Sequence, residues 1–254
     1  MSDAGSPSVA PVPDDAPILN VLITGGSGPS GVAVARALHQ AGFRVFTAGS
    51  DGTRIGSAAR QAGDGVTPLV CDLADLADVQ ALRKTLLAET AGRVDGVIHL
   101  VGGWRGAKGI TDQSDADWDF LERGAITTLR NVSRVFYADL AAAGSGRFAM
   151  VSSTAVDTPT AATASYVAAK AAAETWTLAM AEGLASGAAG EGSALRGAAV
   201  VLVVKALVDE ELRKAHPERT FPGATDVEDL AAAVVGLFSR PAAELNGRRL
   251  LLTG

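Results

Sequence analysis

The stretch Ile18–Leu38, ILNVLITGGSGPSGVAVARAL, changes character twice. An apolar, β-branched run gives way to the glycine-rich turn TGGSGPSG, and then to GVAVARAL, where apolar residues return with helical spacing. The order is strand, turn, helix. Gly25, Gly28 and Gly31 form the pattern TGxxGxxG, with Pro29 directly after the second glycine. Glycines in such a turn let the backbone approach a pyrophosphate, whose charge the amino terminus of a helix favours. A purely structural turn uses many of the same residues, so the placement between strand and helix carries the reading.

Working outward, short runs rich in β-formers recur: RVFTAG from Arg44, TPLVCDL from Thr67, GVIHLVGG from Gly96, RFAMVSS from Arg147, AAVVLVVKA from Ala198 and RLLLTG from Arg249. Being apolar without alternation, they predict strands covered on both faces. Helical segments lie between them, among them DLADVQALRKTLLAETAG, SDADWDFLERGAITTLRNVSRVFYADLAAAG, TASYVAAKAAAETWTLAMAEGLASG and DVEDLAAAVVGLFSR. Alternation of strand and helix predicts an α/β fold: a doubly wound parallel sheet of about seven strands with helices on both faces. Residues 17–254 are expected to form one domain, preceded by a disordered tail over 1–16 that is acidic and rich in proline. SGAAGEGSALRG, from Ser186, is expected to be a flexible loop.

The net charge of -6, with no long basic run, gives no footprint for nucleic acid or an anionic membrane surface. No apolar run is long enough to span a bilayer, the amino terminus lacks the pattern of a secretory signal, and Cys71 is the only cysteine. A small-molecule partner, no metal site and a cytoplasmic location are expected.

Chemistry concentrates in SYVAAKAAAETW from Ser165. Tyr166 and Lys170 are four apart on an alanine-rich helix, so phenol and ammonium share one face. Either a lysine snorkels beside a packed ring, or a neighbouring cation loosens the phenol's proton. Asp72, after the third strand, either reaches the adenine side of the crevice or, like Asp75, caps the next helix.

Together the glycine turn, Asp72-Leu73, the VSS ending of the fifth strand and YVAAK resemble the short-chain dehydrogenase/reductase superfamily, from about Ile18 to Gly254. The resemblance implies a nicotinamide cofactor and a carbonyl or alcohol substrate. The family serine stands thirteen residues before the tyrosine, which selects Ser153 over Ser152. By resemblance Tyr166 is the general acid or base, Lys170 lowers its pKa and binds the nicotinamide ribose, and Ser153 donates to the substrate oxygen. Cofactor contacts are implied for Thr24, Gly25, Ser27, Gly28, Gly31, Ser50, Arg54, Asp72, Leu73, Gly102 and Val208, with Tyr166 and Lys170. Gly49 stands where NAD-preferring relatives often carry an acid, and Ser50 and Arg54 suit a 2'-phosphate, so NADP is expected over NAD; Asp51 argues the other way.

Several positions depart from the family pattern. HLVG at His99–Gly102 replaces NNAG, Ala125 replaces the asparagine of the proton relay, and Lys205-Ala206 replaces Pro-Gly. His99 is read as either a core histidine or a cofactor neighbour, and Lys205 as either solvated or near the cofactor. Trp104 is a pocket candidate. Leu207–Thr225 occupies the place of the family's substrate lid. The departures keep a second reading open, a dinucleotide-binding pseudoenzyme, and the chain is too short for an epimerase or dehydratase branch with a large substrate domain. The helices holding Ala125 and Tyr166 are expected to pair chains into a homo-oligomer, a tetramer or dimer, with Trp176 and Met180 as anchors.

Overall fold

The computed structural model describes residues 17–252; the tail expected over 1–16 lies outside the described residues. β1 (Asn20–Thr24) is buried along its whole length. α1 (Pro29–Gln40) follows directly, then β2 (Arg44–Gly49), α2 (Gly52–Ala62), β3 (Thr67–Val70), α3 (Leu76–Glu89) and β4 (Gly96–His99). The second half runs α4 (Asp115–Glu122), a π-helical turn (Arg123–Thr127), α5 (Thr128–Ala142), β5 (Arg147–Ser153), α6 (Ala164–Gly190) and β6 (Ala198–Val204). β7 (Leu207–Val208), α7 (Glu210–Ala215), β8 (Thr225–Asp226), α8 (Val227–Leu237), α9 (Ala242–Leu245) and β9 (Arg249–Leu251) complete it.

Seven strands form one sheet in the order β3-β2-β1-β4-β5-β6-β9, and every pair is parallel. β7 and β8 make a separate parallel pair. On one face Val34 and Leu38 of α1 meet Leu230 and Val234 of α8; on the other, Leu82 and Leu86 of α3 meet Phe136 and Leu140 of α5 and Leu184 of α6. The sheet is therefore doubly wound, as expected. The strand order reverses between β1 and β4, which opens a crevice at the carboxyl ends of the strands.

Three expectations are corrected, and one element, α2, was not expected. β3 is not covered on both faces: Pro68 and Val70 are exposed while Thr67 and Leu69 are half-buried, because it is an edge strand, where proline is tolerated. α2 escaped notice because its buried face is only Ile55 and three alanines, and its start is fixed locally by Asp51, which accepts from Arg54 N at 2.8 Å. The long helix after β4 is interrupted by the π-helical turn around Ala125. α6 continues to Gly190, so the first five of the twelve residues of the loop expected from Ser186 are helix.

Candidate active site

The crevice begins at the turn after β1. Gly25 has φ +80, and a Cβ there would sit 2.8 Å from Leu100 C; at Gly31 a Cβ would come 2.6 Å from Gly26 Cα. Both glycines are required by packing. Gly28 is different: its backbone is extended (φ -88), and a Cβ would find nothing nearer than Gly25 O at 3.9 Å. It caps α1 without any side-chain hydrogen bond, and the first turn holds no acid. Pro29 at the first helical position has no N–H, but the amides that follow remain for an anion. An open approach to an uncapped helix amino terminus fits a pyrophosphate.

The fit extends along the sheet edge. A Cβ on Gly49, at the end of β2, would lie 2.7 Å from Ser27 Oγ, so these two residues face each other. Ser50 and Arg54 are exposed beside them, whereas the Asp51 carboxylate is engaged as the cap of α2. Thr24 is fully buried and its hydroxyl meets His99 Nδ1 at 2.8 Å, so its side chain belongs to the core rather than to the crevice.

Asp72 does not cap α3. One carboxylate oxygen accepts from Ala74 N at 3.0 Å, and the other from Arg123 at 2.7 Å. Asp75 is the cap of α3, accepting from Ala77 N at 2.7 Å. Leu73 is buried, and its carbonyl accepts from Asn131 Nδ2 at 3.2 Å.

Ser153 ends β5 and Tyr166 and Lys170 share a face of α6, whose start is fastened by Gln113: Ser165 Oγ donates to Gln113 Oε1 at 2.6 Å. That fastening was not legible in the sequence, where the two residues are far apart and neither forms a motif. A cavity of about 390 Å3 at the carboxyl edge is lined by Ser30, Gly102, Trp104, Tyr166, Lys170 and Lys205, among others. Burial raises the Tyr166 phenol above its ordinary value, and a Ser153 hydrogen bond pulls it back only in part. The net shift is upward, against the expected lowering. The Lys170 ammonium is instead turned onto Val151 O at 2.9 Å, and burial brings its own pKa down to about 8 against an opposing pull from Glu174. Ser153 Oγ also accepts from Ala155 N at 3.2 Å. Ser152, its neighbour, is buried with its hydroxyl unpartnered.

His99 is a core histidine that ties three elements together. Thr128 Oγ1 donates to Gly124 O at 2.7 Å, which leaves it to accept from His99 Nε2–H at 3.2 Å, while Nδ1 accepts from Thr24. Burial, aided by the charge of Lys170, pushes its pKa down to about 3, so the ring is neutral. Ala125, buried in the π-helical turn, packs with Ala169, Leu121 and Tyr166 and offers no polar group.

After β6, Lys205 Nζ donates to Pro222 O at 2.7 Å, and the buried Val208 lies in β7. The segment from Leu207 to Thr225 thus folds as strand, short helix and strand over this end of the sheet. Among the described residues no helix is long and apolar enough to cross a membrane, and no cluster of metal-ligating side chains occurs.

Comparison with known families matches residues 19–188 to the short chain dehydrogenases. The chain belongs to that family. A tropinone reductase homolog of Arabidopsis thaliana is 29% identical over 140 residues, 54% of this chain and 52% of the relative, so the match spans about half of that protein's length. Among solved structures, a 3-ketoacyl-(acyl-carrier-protein) reductase from Brucella melitensis complexed with NADH has TM-score 0.78 at 21% identity, covering 93% of this chain and 97% of that one. A gluconate 5-dehydrogenase from Burkholderia cenocepacia in complex with NADP and tartrate has TM-score 0.74 at 24% identity, covering 92% and 93%. Those two likenesses are of fold. Short-chain dehydrogenases of this architecture are oxidoreductases, and these two neighbours hold NADH and NADP respectively.

Proposed function

We propose that the chain, as one domain over residues 17–254, is a cytoplasmic oxidoreductase that interconverts a carbonyl and an alcohol on a small organic substrate, with NADP preferred to NAD. The observation that carries this reading is the cavity at the carboxyl edge of the sheet that Tyr166 and Lys170 line, next to the end of β5 at Ser153 and beside a glycine turn whose opening at Gly28 no group among the described residues fills. Thr24, Gly25, Ser27, Gly28 and Gly31 would shape the phosphate end, Ser50 and Arg54 the 2'-phosphate side, Asp72 and Leu73 the adenine side, and Gly102 and Val208 the nicotinamide end. A bound nicotinamide cofactor supplies the hydride.

The chain's own residues handle the proton. In the reducing direction the Tyr166 hydroxyl donates its proton to the substrate oxygen, and Ser153 Oγ donates a hydrogen bond to the same atom as its negative charge grows. The Lys170 ammonium, still largely protonated near neutral pH, stabilises the phenolate left behind and holds the nicotinamide ribose. Burial keeps the phenol in its protonated, donating form at neutral pH while making it a weaker acid than a free phenol. Ala125 supports a second reading, a dinucleotide-binding protein without turnover, because it supplies no polar group beside Tyr166 for re-protonation.

Titrating the purified protein with NADH and NADPH, then screening ketones and aldehydes for loss of reduced-cofactor absorbance, separates the two. Binding of NADPH tighter than NADH, followed by turnover of a carbonyl, is the expected result. Binding without turnover across a broad panel favours the second reading, and tighter NADH binding reverses the cofactor preference.

A further inference from the structure

Lys205 follows a strand whose seven residues are all buried, and its side chain emerges into the cavity that holds Tyr166 and Lys170. Its only polar contact among the described residues is the Pro222 carbonyl; no carboxylate lies within ion-pairing distance. Lys170 likewise contacts a carbonyl, and its neighbour Glu174 is held by Arg249 at 2.7 Å. Among the described residues no Asp or Glu lines the cavity, and much of the remaining wall is apolar: Leu100, Val101, Trp104, Val204 and Leu207. The Lys205 ammonium, facing an apolar space without a counter-charge of its own, favours an occupant that brings negative charge.

The two lysines divide that occupant. Lys170 sits with the proton-transfer group on α6, while Lys205 is tethered to the segment that covers the cavity. Ser30, inside the Gly25–Gly31 turn, lines the same cavity, so a cofactor phosphate would approach from that wall. Lys205 stands with Ala206 and Leu207 after β6 and is tethered to the cover; the charge assigned to it is therefore the substrate's. A lone ammonium, without the guanidinium fork or the nest of amides that grips a phosphate, matches a singly charged group. We propose that Lys205 binds a carboxylate of the substrate, so that the enzyme acts on an oxo acid and its hydroxy acid, with the organic remainder against Trp104 and the apolar wall. This rests on the carbonyl-reducing reading of the cavity.

The test is calorimetric titration of NADPH-loaded protein with aliphatic and aromatic 2-oxo and 3-oxo acids, each beside its methyl ester, in the parent and in Lys205→Met. Because Lys205 is exposed, the variant should fold. At least one acid should bind about tenfold tighter than its ester, the scale of one hydrogen bond to a charged group. Lys205→Met should erase that advantage and leave NADPH affinity within about twofold. The proposal is overturned if every ester binds as well as its acid, if the preference survives in Lys205→Met, if the variant weakens NADPH and acid alike, or if a matched phosphate monoester binds tighter than the acid. An acid bound through Lys205 but never reduced would sink the oxidoreductase reading, and with it the oxo-acid substrate, and leave only the carboxylate contact at Lys205. Reduction of neutral ketones with no preference for acids would do the reverse.

Discussion

At Tyr166 two effects oppose each other, and burial wins over the Ser153 hydrogen bond. The phenol is therefore loaded with its proton around neutrality. Reduction should hold its rate through neutrality and up to about 10, the ordinary phenol value, and fall only above it, while oxidation, which needs phenolate, should climb over that same higher range. pH profiles of the two directions check this. Tyr166→Phe keeps the ring and removes the proton; we expect kcat to fall by roughly two to four orders of magnitude with cofactor affinity unchanged. Unchanged kcat would contradict the assigned role. Lys170→Ala should harm turnover and cofactor binding together. His99 tests the fold rather than the chemistry. Its pKa is about 3 in the protein against an ordinary 6.5, so between these values the unfolded chain binds more protons and stability must rise with pH. Acid unfolding should be steep in that window, by about 1.4 kcal/mol per pH unit at most from this one group, and His99→Gln should flatten it. An unchanged pH dependence of Tm in His99→Gln would show that the ring titrates normally.

The elements around the crevice separate glycines that pack from glycines that admit a ligand. Gly31→Ala would force a Cβ to 2.6 Å from Gly26 Cα and should cost about 1–3 kcal/mol of stability, visible as a lower Tm. Gly28→Ala meets no atom closer than 3.9 Å and has an extended backbone, so its Tm should match the parent while NADPH binding weakens about tenfold or more. Equal cofactor affinity in Gly28→Ala would remove the glycine turn from the binding site. These elements also show what the sequence could convey. Unbroken apolar runs revealed the central strands, since a strand covered on both faces has no polar positions to alternate with. β3 was misjudged because Leu69, Val70 and Cys71 look like core, and only the edge position exposes Val70. The π-helical turn at Ala125 has no signature in composition; it is made visible by the backbone and by Thr128, whose hydroxyl bonds Gly124 O.

For the whole molecule, the family pattern placed Ser153, Tyr166 and Lys170 on one sheet edge, while the direction of the Tyr166 shift and the His99 network depended on contacts between residues distant in the chain. Assembly is a property at this scale. Met180, expected as an anchor between chains, is buried in the chain's own core against α5 and the sheet, so it is unavailable to a partner. Trp176 stays partly exposed on α6 with its Nε1 donating to Ser133 Oγ at 2.8 Å, and Leu178 is exposed nearby. We propose a homo-oligomer, a tetramer or dimer, formed through α5 and α6; light scattering at micromolar concentration should give a multiple of the chain mass, and a monomer would reject it. The central claim is that hydride passes between a nicotinamide ring and a substrate carbon in this crevice. Reduction of a carbonyl found in the cofactor screen, run with each of the two C4-deuterated stereoisomers of NADPH, follows that transfer directly. One deuterium on the carbinol carbon from one stereoisomer and none from the other is expected; product formed without deuterium from either would overturn hydride transfer here, as would NADPH binding with no carbonyl reduced at all.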